Sequence, residues 1–352
     1  MTLQKKALQC NPKIQLSNDG GNLTSDTGMV LVEEFLAKIN FSQMITDTIT
    51  FQDKRKYATH SMADLLKQVI YQLIAGYKSD VAANRLAQDP IFTTLFSKNR
   101  LASQPTISRF INHFDSSSNA GLHQLTQKLG DLLLTQTNQQ EMNIDIDSTP
   151  SDTFGNQEST NYNAHYQTNG YHPLVAFDGI FGLLLGAKLR PENDYTSKDS
   201  EHFLRPILQR YRDYSCDMAL LVRGDSGFAK PEIYSLCDEL DAQFIIRLKA
   251  NRKLQKIAER LITYGDETNF TQAESQYCSI NDYQPNSWSN HYRVIIKSTR
   301  QAESLLFTHE FLLTNLAEIS TKDCFKLYQN RGVMENYIKE VKRGFFYDKT
   351  DS

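Results

Sequence analysis

Apolar residues recur every three or four positions through most of the first third of the chain, the spacing that lines one face of an α-helix. Four stretches carry this pattern: 27–39, 61–77, 80–88 and 120–137. A fifth stretch, 102–114, has Ser103 in a position to cap a helix and Pro105 in the first turn. Residues 1–140 are therefore predicted to form an all-α domain, which ends at the polar run TQTNQQE.

A different pattern begins at Met142, where apolar and polar residues alternate as in a half-buried β-strand. Apolar runs bounded by turn residues predict further strands, at 172–178, 183–190, 218–225 and 242–248. Helical spacing returns between them, at 197–214 and 231–240. Three strands in hairpin order, followed by alternating helices and strands, predict a mixed sheet with helices packed against it. The polar, partly alternating segment 250–317 is predicted to be an insertion that contains strands at 292–298 and 310–315.

The segment 328–342, YQNRGVMENYIKEVK, has the pattern of one amphipathic helix. At about 100° per residue, four side chains fall within one narrow polar stripe: Tyr328, Arg331, Glu335 and Lys342. Apolar side chains occupy the adjoining face: Leu327, Met334, Ile338, Val341 and Phe345. The stripe is either an ordinary solvated face, with Arg331 and Glu335 as an i, i+4 pair, or a set of residues held for a function.

Composition and charge narrow the class of protein. The 352 residues are 40% hydrophobic with a net charge of −3, so the whole molecule is not a basic nucleic-acid binder. Residues 1–140 hold 14 Lys and Arg against 11 Asp and Glu, and the remainder holds 24 against 30, which fits a DNA-binding module joined to a metal-binding one. The five scattered cysteines include no C-x-x-C pair, which argues against zinc and disulfides. With no signal-peptide core or membrane-length apolar run in the sequence, a cytoplasmic location without membrane contact is expected.

Three acidic residues stand on elements that meet at the predicted sheet. Asp147 ends the first strand, Asp225 ends the fourth and Glu335 lies on the last helix. An Asp that closes a strand is common turn chemistry, but carboxylates from strand ends and a neighbouring helix can converge at one rim. Because three carboxylates repel one another, such a site is stable mainly with hard cations, and oxygen ligands favour Mg²⁺ or Mn²⁺. Asp145 is an alternative to Asp147, since it shares a face of the same strand.

Other candidate residues lie outside this set. Arg109 stands near the start of the helix predicted within 102–114, where a recognition helix presents side chains to DNA. The alternative is an ordinary helix of an all-α domain. Arg190 and Glu192 are candidates to border an active-site loop.

Together these features resemble a known family. Tyr328, Arg331, Glu335 and Lys342 match a Tyr-x2-Arg-x3-Glu-x6-Lys signature at every spacing. The segments IDIDST, LVRGDSGFA, NAHYQTNGYHPLVAF and LASQPTISRF also resemble blocks of that family. On these motifs the chain is similar, over most of its length, to the DDE transposases of bacterial insertion sequences.

The resemblance implies an RNase H-like α/β core, a mixed sheet with flanking helices. It divides the chain into a helical DNA-binding domain (1–140), a first core segment (141–249), a mostly β insertion (250–317) and a final core helix with the glutamate (318–352). The catalytic and metal-binding residues would be Asp147, Asp225 and Glu335, with two Mg²⁺ or Mn²⁺ ions. Asp147 is preferred to Asp145 because the family's aspartate is followed closely by threonine, here Thr149.

The same resemblance assigns DNA as the partner of the other signature residues. Tyr328, Arg331 and Lys342 would contact phosphates or flipped bases at the end of the element, and Arg109 would belong to the DNA-binding domain. The implied activity is cut-and-paste transposition at the bacterial nucleoid, in the cytoplasm. A homodimer would bind the terminal inverted repeats, cleave the DNA strands and join them to target DNA.

Two other interpretations fit parts of the sequence. Family members continue beyond the glutamate helix, whereas this sequence ends ten residues after Lys342, so the resemblance implies a truncated C-terminal end. A truncated chain could be a non-catalytic DNA-binding remnant that represses the intact enzyme. A metal-dependent nuclease with the same core but no strand joining is the third interpretation.

Overall fold

The computed structural model describes residues 6–8, 11–16, 24–51, 53, 55–153, 157–163, 167–264, 271–285 and 288–345. The chain divides into two compact units, Met1–Lys128 and Leu129–Ser352. A 22-residue helix, Ser116–Thr137, crosses this division and ends within the polar run at which the sequence predicted a boundary. The last residues of the predicted closing segment, 346–352, lie outside the described residues.

Among its described residues, the first unit is helical apart from one short hairpin. Strands β1 (Lys6–Leu8) and β2 (Asn11–Leu16) pair antiparallel, which the sequence pattern did not predict. Helices follow along the described residues: α1 Met29–Lys38, α2 Phe41–Thr48, α3 Met62–Ile74, α4 Ala82–Leu86, α5 Pro90–Leu95, α6 Gln104–Ile111 and α7 Ser116–Thr137. Ser61 begins α3 by accepting a hydrogen bond from the Asp64 amide (3.1 Å), a capping arrangement that satisfies an otherwise unpaired donor.

The second unit alternates strands and helices. Its strands, within the described residues, are β3 Glu141–Ser148, β4 Ser151–Asp152, β5 Asn161–Asn163, β6 Thr168–Tyr171, β7 Leu174–Asp178, β8 Leu184–Lys188, β9 Ala219–Gly224, β10 Gln243–Leu248, β11 Glu274–Tyr283, β12 Tyr292–Arg300 and β13 Phe307–Thr314. Its helices are α8 Ser200–Tyr214, α9 Pro231–Glu239, α10 Arg252–Leu261, α11 Thr321–Gln329 and α12 Gly332–Phe345.

Eight of these strands form one mixed sheet. Their order is β11-β12-β13-β10-β9-β3-β7-β8, and β4, β6 and β5 form a small separate sheet. β9 pairs parallel with both β3 and β10. The other neighbours in this sheet pair antiparallel: β3 with β7, β7 with β8, β10 with β13, β13 with β12 and β12 with β11. The predicted fold class, a mixed sheet with flanking helices, is confirmed.

Helices cover both faces of this sheet, so side chains on both faces of β3 are covered. Ile144 and Ile146 are buried in the core that β3 shares with α8 and α9. On the opposite face, Met334 of α12 packs against Phe177 of β7. Because successive side chains of a strand point to opposite faces, Asp145 and Asp147 lie on the face of the sheet that α11 and α12 cover.

The segment that follows β10 differs in part from the predicted β-rich insertion. Its first element is α10, a helix that the sequence interpretation missed, with Leu254 and Ala258 buried on its inner face. The three strands that follow do not stand apart, because β13 pairs with β10 and thereby continues the main sheet. The predicted strands at 292–298 and 310–315 correspond to β12 and β13.

The prediction of one continuous helix over 328–342 is wrong. α11 ends at Gln329 and α12 begins at Gly332. A continuous α-helix would direct the Arg331 amide to the Leu327 carbonyl, four residues back. The Arg331 amide instead donates to Tyr328, three residues back (2.9 Å), and the Leu327 carbonyl accepts from Nη1 of Arg223 on β9 (2.6 Å). At the break, a side chain from the sheet thus donates to the carbonyl that a continuous helix would pair with the Arg331 amide.

The register of the parallel strands fixes which residues meet at the sheet edge. Gly224 of β9 is the register partner of both Ile146 on β3 and Ile246 on β10. The next residues along the three strands, Asp147, Asp225 and Arg247, therefore lie side by side at the same edge.

Candidate active site

An open cleft of about 440 Å³ lies at this edge, beside the junction of α11 and α12. Its lining is strongly polar: Asp147, Asp225, Ser226, Arg247, Tyr328, Gln329, Arg331, Gly332 and Glu335. The three acids predicted from the sequence thus line one cleft, although they are as much as 188 positions apart in the chain (335 − 147).

Asp147 is held by the signature arginine. Its Oδ2 lies 2.8 Å from Nη2 of Arg331, and its Oδ1 accepts a hydrogen bond from the Ser148 amide (2.8 Å). Burial raises the pKa of Asp147 above its ordinary value, the Arg331 guanidinium opposes that rise, and the nearby Asp225 carboxylate adds to it. The pKa of Asp147 thus responds to a second carboxylate that lines the same cleft.

Asp225 lies where β9 turns into a short 3₁₀ helix, Ser226–Phe228. Its Oδ1 accepts a hydrogen bond from the Gly227 amide (2.9 Å), so the side chain caps the turn and is fixed at the cleft. This is the ordinary turn chemistry of an Asp at a strand end, and it leaves the rest of the carboxylate toward the cleft that Asp225 lines.

Glu335 is exposed in the first turn of α12 and borders the same cleft. Within the described residues, no group of three or more His, Cys, Asp or Glu side chains is close enough to hold a metal ion. The structure thus brings Asp147, Asp225 and Glu335 to one cleft without gathering them into a cluster. As a donor set they are carboxylate oxygens, the ligand type that hard divalent cations prefer.

Asp145, the alternative to Asp147, has a different environment. It is fully buried, and both of its oxygens accept from Arg223, with Nε–Oδ1 at 2.6 Å and Nη2–Oδ2 at 2.8 Å. Gly179 leaves room for this pair, since a Cβ there would lie 2.3 Å from Nη2 of Arg223. Asp145 is not among the residues that line the cleft.

The other signature residues are placed in three different ways. Tyr328 is half-buried at the end of α11 and lines the cleft, and burial raises the pKa of its hydroxyl. Arg331 is buried, and besides Asp147 its Nη2 contacts the Ile146 carbonyl (3.2 Å). Lys342 lies outside the cleft lining, where its Nζ donates to the Pro150 carbonyl (2.7 Å) in the loop after β3. The structure therefore places only part of the predicted stripe at the cleft.

Arg109 belongs to the first unit. It is exposed on α6, and its side chain borders a pocket of about 300 Å³ beside Arg55, Thr106 and His113, over an apolar floor. Ser103 stands at the predicted N-cap position of α6 but its side chain makes no capping hydrogen bond there.

The sequence interpretation missed Arg247. This residue lines the cleft, and its Nη2 lies 2.9 Å from Glu310 on β13, in a pair in which both side chains are substantially exposed. A signal was available, since Arg247 follows the apolar run of β10 as Asp225 follows that of β9.

Comparison with known proteins identifies the family. Residues 6–352 match the family model described as transposase DDE domain group 1. The chain belongs to this family of DDE transposases. No curated protein matches the chain. Among solved structures, it is similar to the cryo-EM structure of the piggyBac transposase synaptic complex with hairpin DNA, with a TM-score of 0.46, 13% sequence identity, and coverage of 88% of this chain and 68% of that one.

Membership in this family confirms that the chain is a DNA transposase, as its signature predicted. DDE transposases generally use divalent metal ions, and the carboxylates of the cleft are of the type that such ions bind. Along the described residues, no helix of this transposase combines the length and apolar character needed to cross a membrane.

Proposed function

We propose that this transposase cleaves and joins DNA strands at the cleft, with Asp147, Asp225 and Glu335 as the catalytic, metal-binding residues. One observation carries the proposal: two aspartates that follow register partners on adjacent parallel strands share a cleft with a glutamate from the helix beside it. The oxygen-only donor set favours two Mg²⁺ or Mn²⁺ ions, which would activate water or a 3′-hydroxyl and stabilise the leaving oxygen.

The side chains around the carboxylates supply positioning and charge. Arg331 holds Asp147 in place through Oδ2 and contacts the backbone of the same strand, which orients this carboxylate toward the cleft. Arg247 and Tyr328 stand at the open side, where a guanidinium and a phenol can contact a phosphodiester. The cleft therefore combines a metal-binding part with a cationic part suited to the DNA backbone.

The DNA that this site would act on is the end of the transposable element. We assign recognition of its terminal inverted repeats to the first unit, where Arg109, Arg55 and His113 border one pocket on and beside α6. A homodimer that bridges two ends, at the nucleoid of a bacterial cell, completes the proposal. Its product is an element excised and joined to target DNA.

A cleavage assay tests this assignment. The substrate is a duplex that carries the terminal repeat found beside the gene, incubated with Mg²⁺, and end binding is measured in parallel. Asp225→Asn or Glu335→Gln should lower the cleavage rate by about a thousandfold or more, equal to about 4 kcal/mol of barrier, with end binding retained. The matched control is Asp217→Asn, an exposed aspartate before the opposite end of β9. Retained cleavage in the Asp225 variant would refute the assignment.

The same assay separates the alternative functions. Strand cleavage without joining to a target plasmid would indicate a nuclease. End binding without cleavage by the unaltered chain would indicate a non-catalytic DNA-binding protein.

A further inference from the structure

Arg223 joins three elements that meet at the active site. It is 1% exposed, extends from β9, and pairs through Nε and Nη2 with both oxygens of Asp145 on β3. Its remaining nitrogen, Nη1, donates to the Leu327 carbonyl in the last turn of α11 (2.6 Å). All three guanidinium nitrogens are therefore engaged, two with the sheet and one with the helix beside it.

The contact with Leu327 has a direct effect on the chain that follows. In a continuous helix, that carbonyl would accept from the Arg331 amide, which here donates to Tyr328 instead. One helix ends at Gln329, and a new helix begins at Gly332. Between them, Arg331 reaches Asp147 (2.8 Å), and Glu335 stands in the first turn of α12.

Asp145 fixes the orientation of this arginine. A planar guanidinium that is held by two parallel bonds to a carboxylate has one direction left for its third nitrogen. The pair is buried on both sides, so that neither partner can exchange its contacts with water. A lysine, with a single point charge, could pair with Asp145 or reach Leu327, but it lacks the geometry to hold both.

We propose that Arg223, oriented by Asp145, is a positioning residue for the active site. It acts by breaking the helix between Leu327 and Arg331, which places Arg331 against Asp147 and starts α12 at the point that brings Glu335 to the cleft. The inference rests on the proposed catalytic role of the three acids, and it assigns a task to two charged residues that do not line the cleft.

Stability and positioning can be separated by replacing the whole pair. Arg223→Met alone leaves a buried carboxylate unpaired, which destabilises the fold for general reasons. Asp145→Leu with Arg223→Met replaces both charges by apolar groups, an exchange that often restores stability. We expect this double variant to unfold at a denaturant concentration near that of the unaltered protein but to cleave DNA at least about tenfold more slowly, because Leu327 has lost its donor. Cleavage at the original rate would overturn the proposal.

A coupling experiment adds a readout that a purely structural role would not change. Arg223→Lys and Arg331→Lys are made singly and together, and the cleavage rates are compared at saturating DNA. If Arg223 acts through Arg331, the double variant should be no slower than the slower single variant, since both remove the same arrangement. Multiplied effects of the two substitutions would contradict this route.

Hydrogen exchange gives a test that does not depend on catalysis. Arg223→Lys should change the hydrogen-exchange rates of the backbone amides at 328–334, whereas the amides of β3 and β9 should keep their protection. Unchanged exchange at the junction would overturn the inference even in an active enzyme. If the unaltered chain does not cleave DNA but its junction responds to the substitution, the proposed function fails while the structural coupling stands.

Discussion

Arg331 places its guanidinium 2.8 Å from Asp147, so an arginine of the signature is bound to the first of the three candidate metal ligands. The family resemblance assigned Arg331 to DNA together with Tyr328 and Lys342, the other residues of the polar stripe. Its burial and its contacts with β3 give it a partner inside the protein. Such an arginine contacts a metal-binding carboxylate from the protein interior and fixes the orientation of that carboxylate.

Arg331→Lys is the first prediction. A lysine keeps the charge but cannot contact Asp147 and the Ile146 carbonyl with the fixed geometry of a guanidinium. We expect cleavage to fall by about 10- to 100-fold, the usual effect of losing a group that orients a metal ligand. End binding, measured by fluorescence anisotropy, should change much less. A larger loss of binding than of cleavage would instead support direct contact between Arg331 and DNA.

Arg247→Gln tests the cationic side of the cleft. The substitution removes a charge from the cleft wall, and we expect about a tenfold loss in the cleavage rate because a charge-assisted contact to phosphate is lost. Stability should hardly change, since the exposed pair with Glu310 is worth at most about 1 kcal/mol. The control is Glu310→Gln, which removes the same ion pair but keeps the arginine and should preserve cleavage. Equal losses of cleavage rate in both variants would mean that cleavage depends on the Arg247–Glu310 ion pair and not on a contact between Arg247 and DNA.

Gly179→Ala is predicted to strain the buried ion pair. A methyl group at this position would lie 2.3 Å from Nη2 of Arg223 and 2.7 Å from Oδ2 of Asp145, so the pair must shift. We expect a loss of about 1–3 kcal/mol in the free energy of unfolding, measured in urea, together with slower cleavage. The matched control is Gly28→Ala, where the added methyl meets nothing within 4 Å. Equal stability of the two variants would contradict the prediction.

The stability of the protein is expected to depend on pH through the carboxyl group of Glu192. Its side chain is fully buried, one of its oxygens has no hydrogen-bond partner among the described residues, and burial, followed by the nearby Asp152, raises its pKa from 4.5 to about 7. Asn163 and Lys342 act in the opposite direction. The folded state therefore holds a proton that the unfolded chain releases above pH 4.5.

The sign of the effect follows from this difference. The contribution of Glu192 to stability is complete below about pH 4.5, and it is lost as the pH rises through about 7. Glu192→Gln keeps the shape without the titration, so its free energy of unfolding should decline less than that of the unaltered protein across this window. Urea unfolding of both proteins at a series of pH values measures the difference. Parallel curves would show that Glu192 does not titrate as expected.

The parts of this protein that the sequence predicted are those set by local pattern. Alternation over 142–147 identified β3 and the strand-end position of Asp147, because strand periodicity is a property of neighbouring residues. The ten residues of α10 also have apolar residues at helical spacing, but this pattern is short and lies within a polar segment, so the sequence did not predict the helix.

The missed features depend on contacts between distant residues. Asp145 and Asp147 share a face and have the same side chain, so the pattern of β3 cannot distinguish them; a partner 78 positions away does. The break between Gln329 and Gly332 also arises elsewhere, since the donor that captures the Leu327 carbonyl comes from β9, 104 positions earlier. Sequence periodicity favoured one continuous helix because it contains no information about a contact with a side chain from a distant strand.

The shared register of Ile146, Gly224 and Ile246 limits how this chain can change over time. One residue added to or lost from β3 or β9 would turn its acid to the opposite face of the sheet, whereas substitutions along the strands leave the spacing intact. Relatives of this transposase should therefore differ in side chains within these strands but in length only between them. The long segment between β10 and β13 is the natural place for such growth, because its strands β11 and β12 lie at the far side of β13 from β10, β9 and β3.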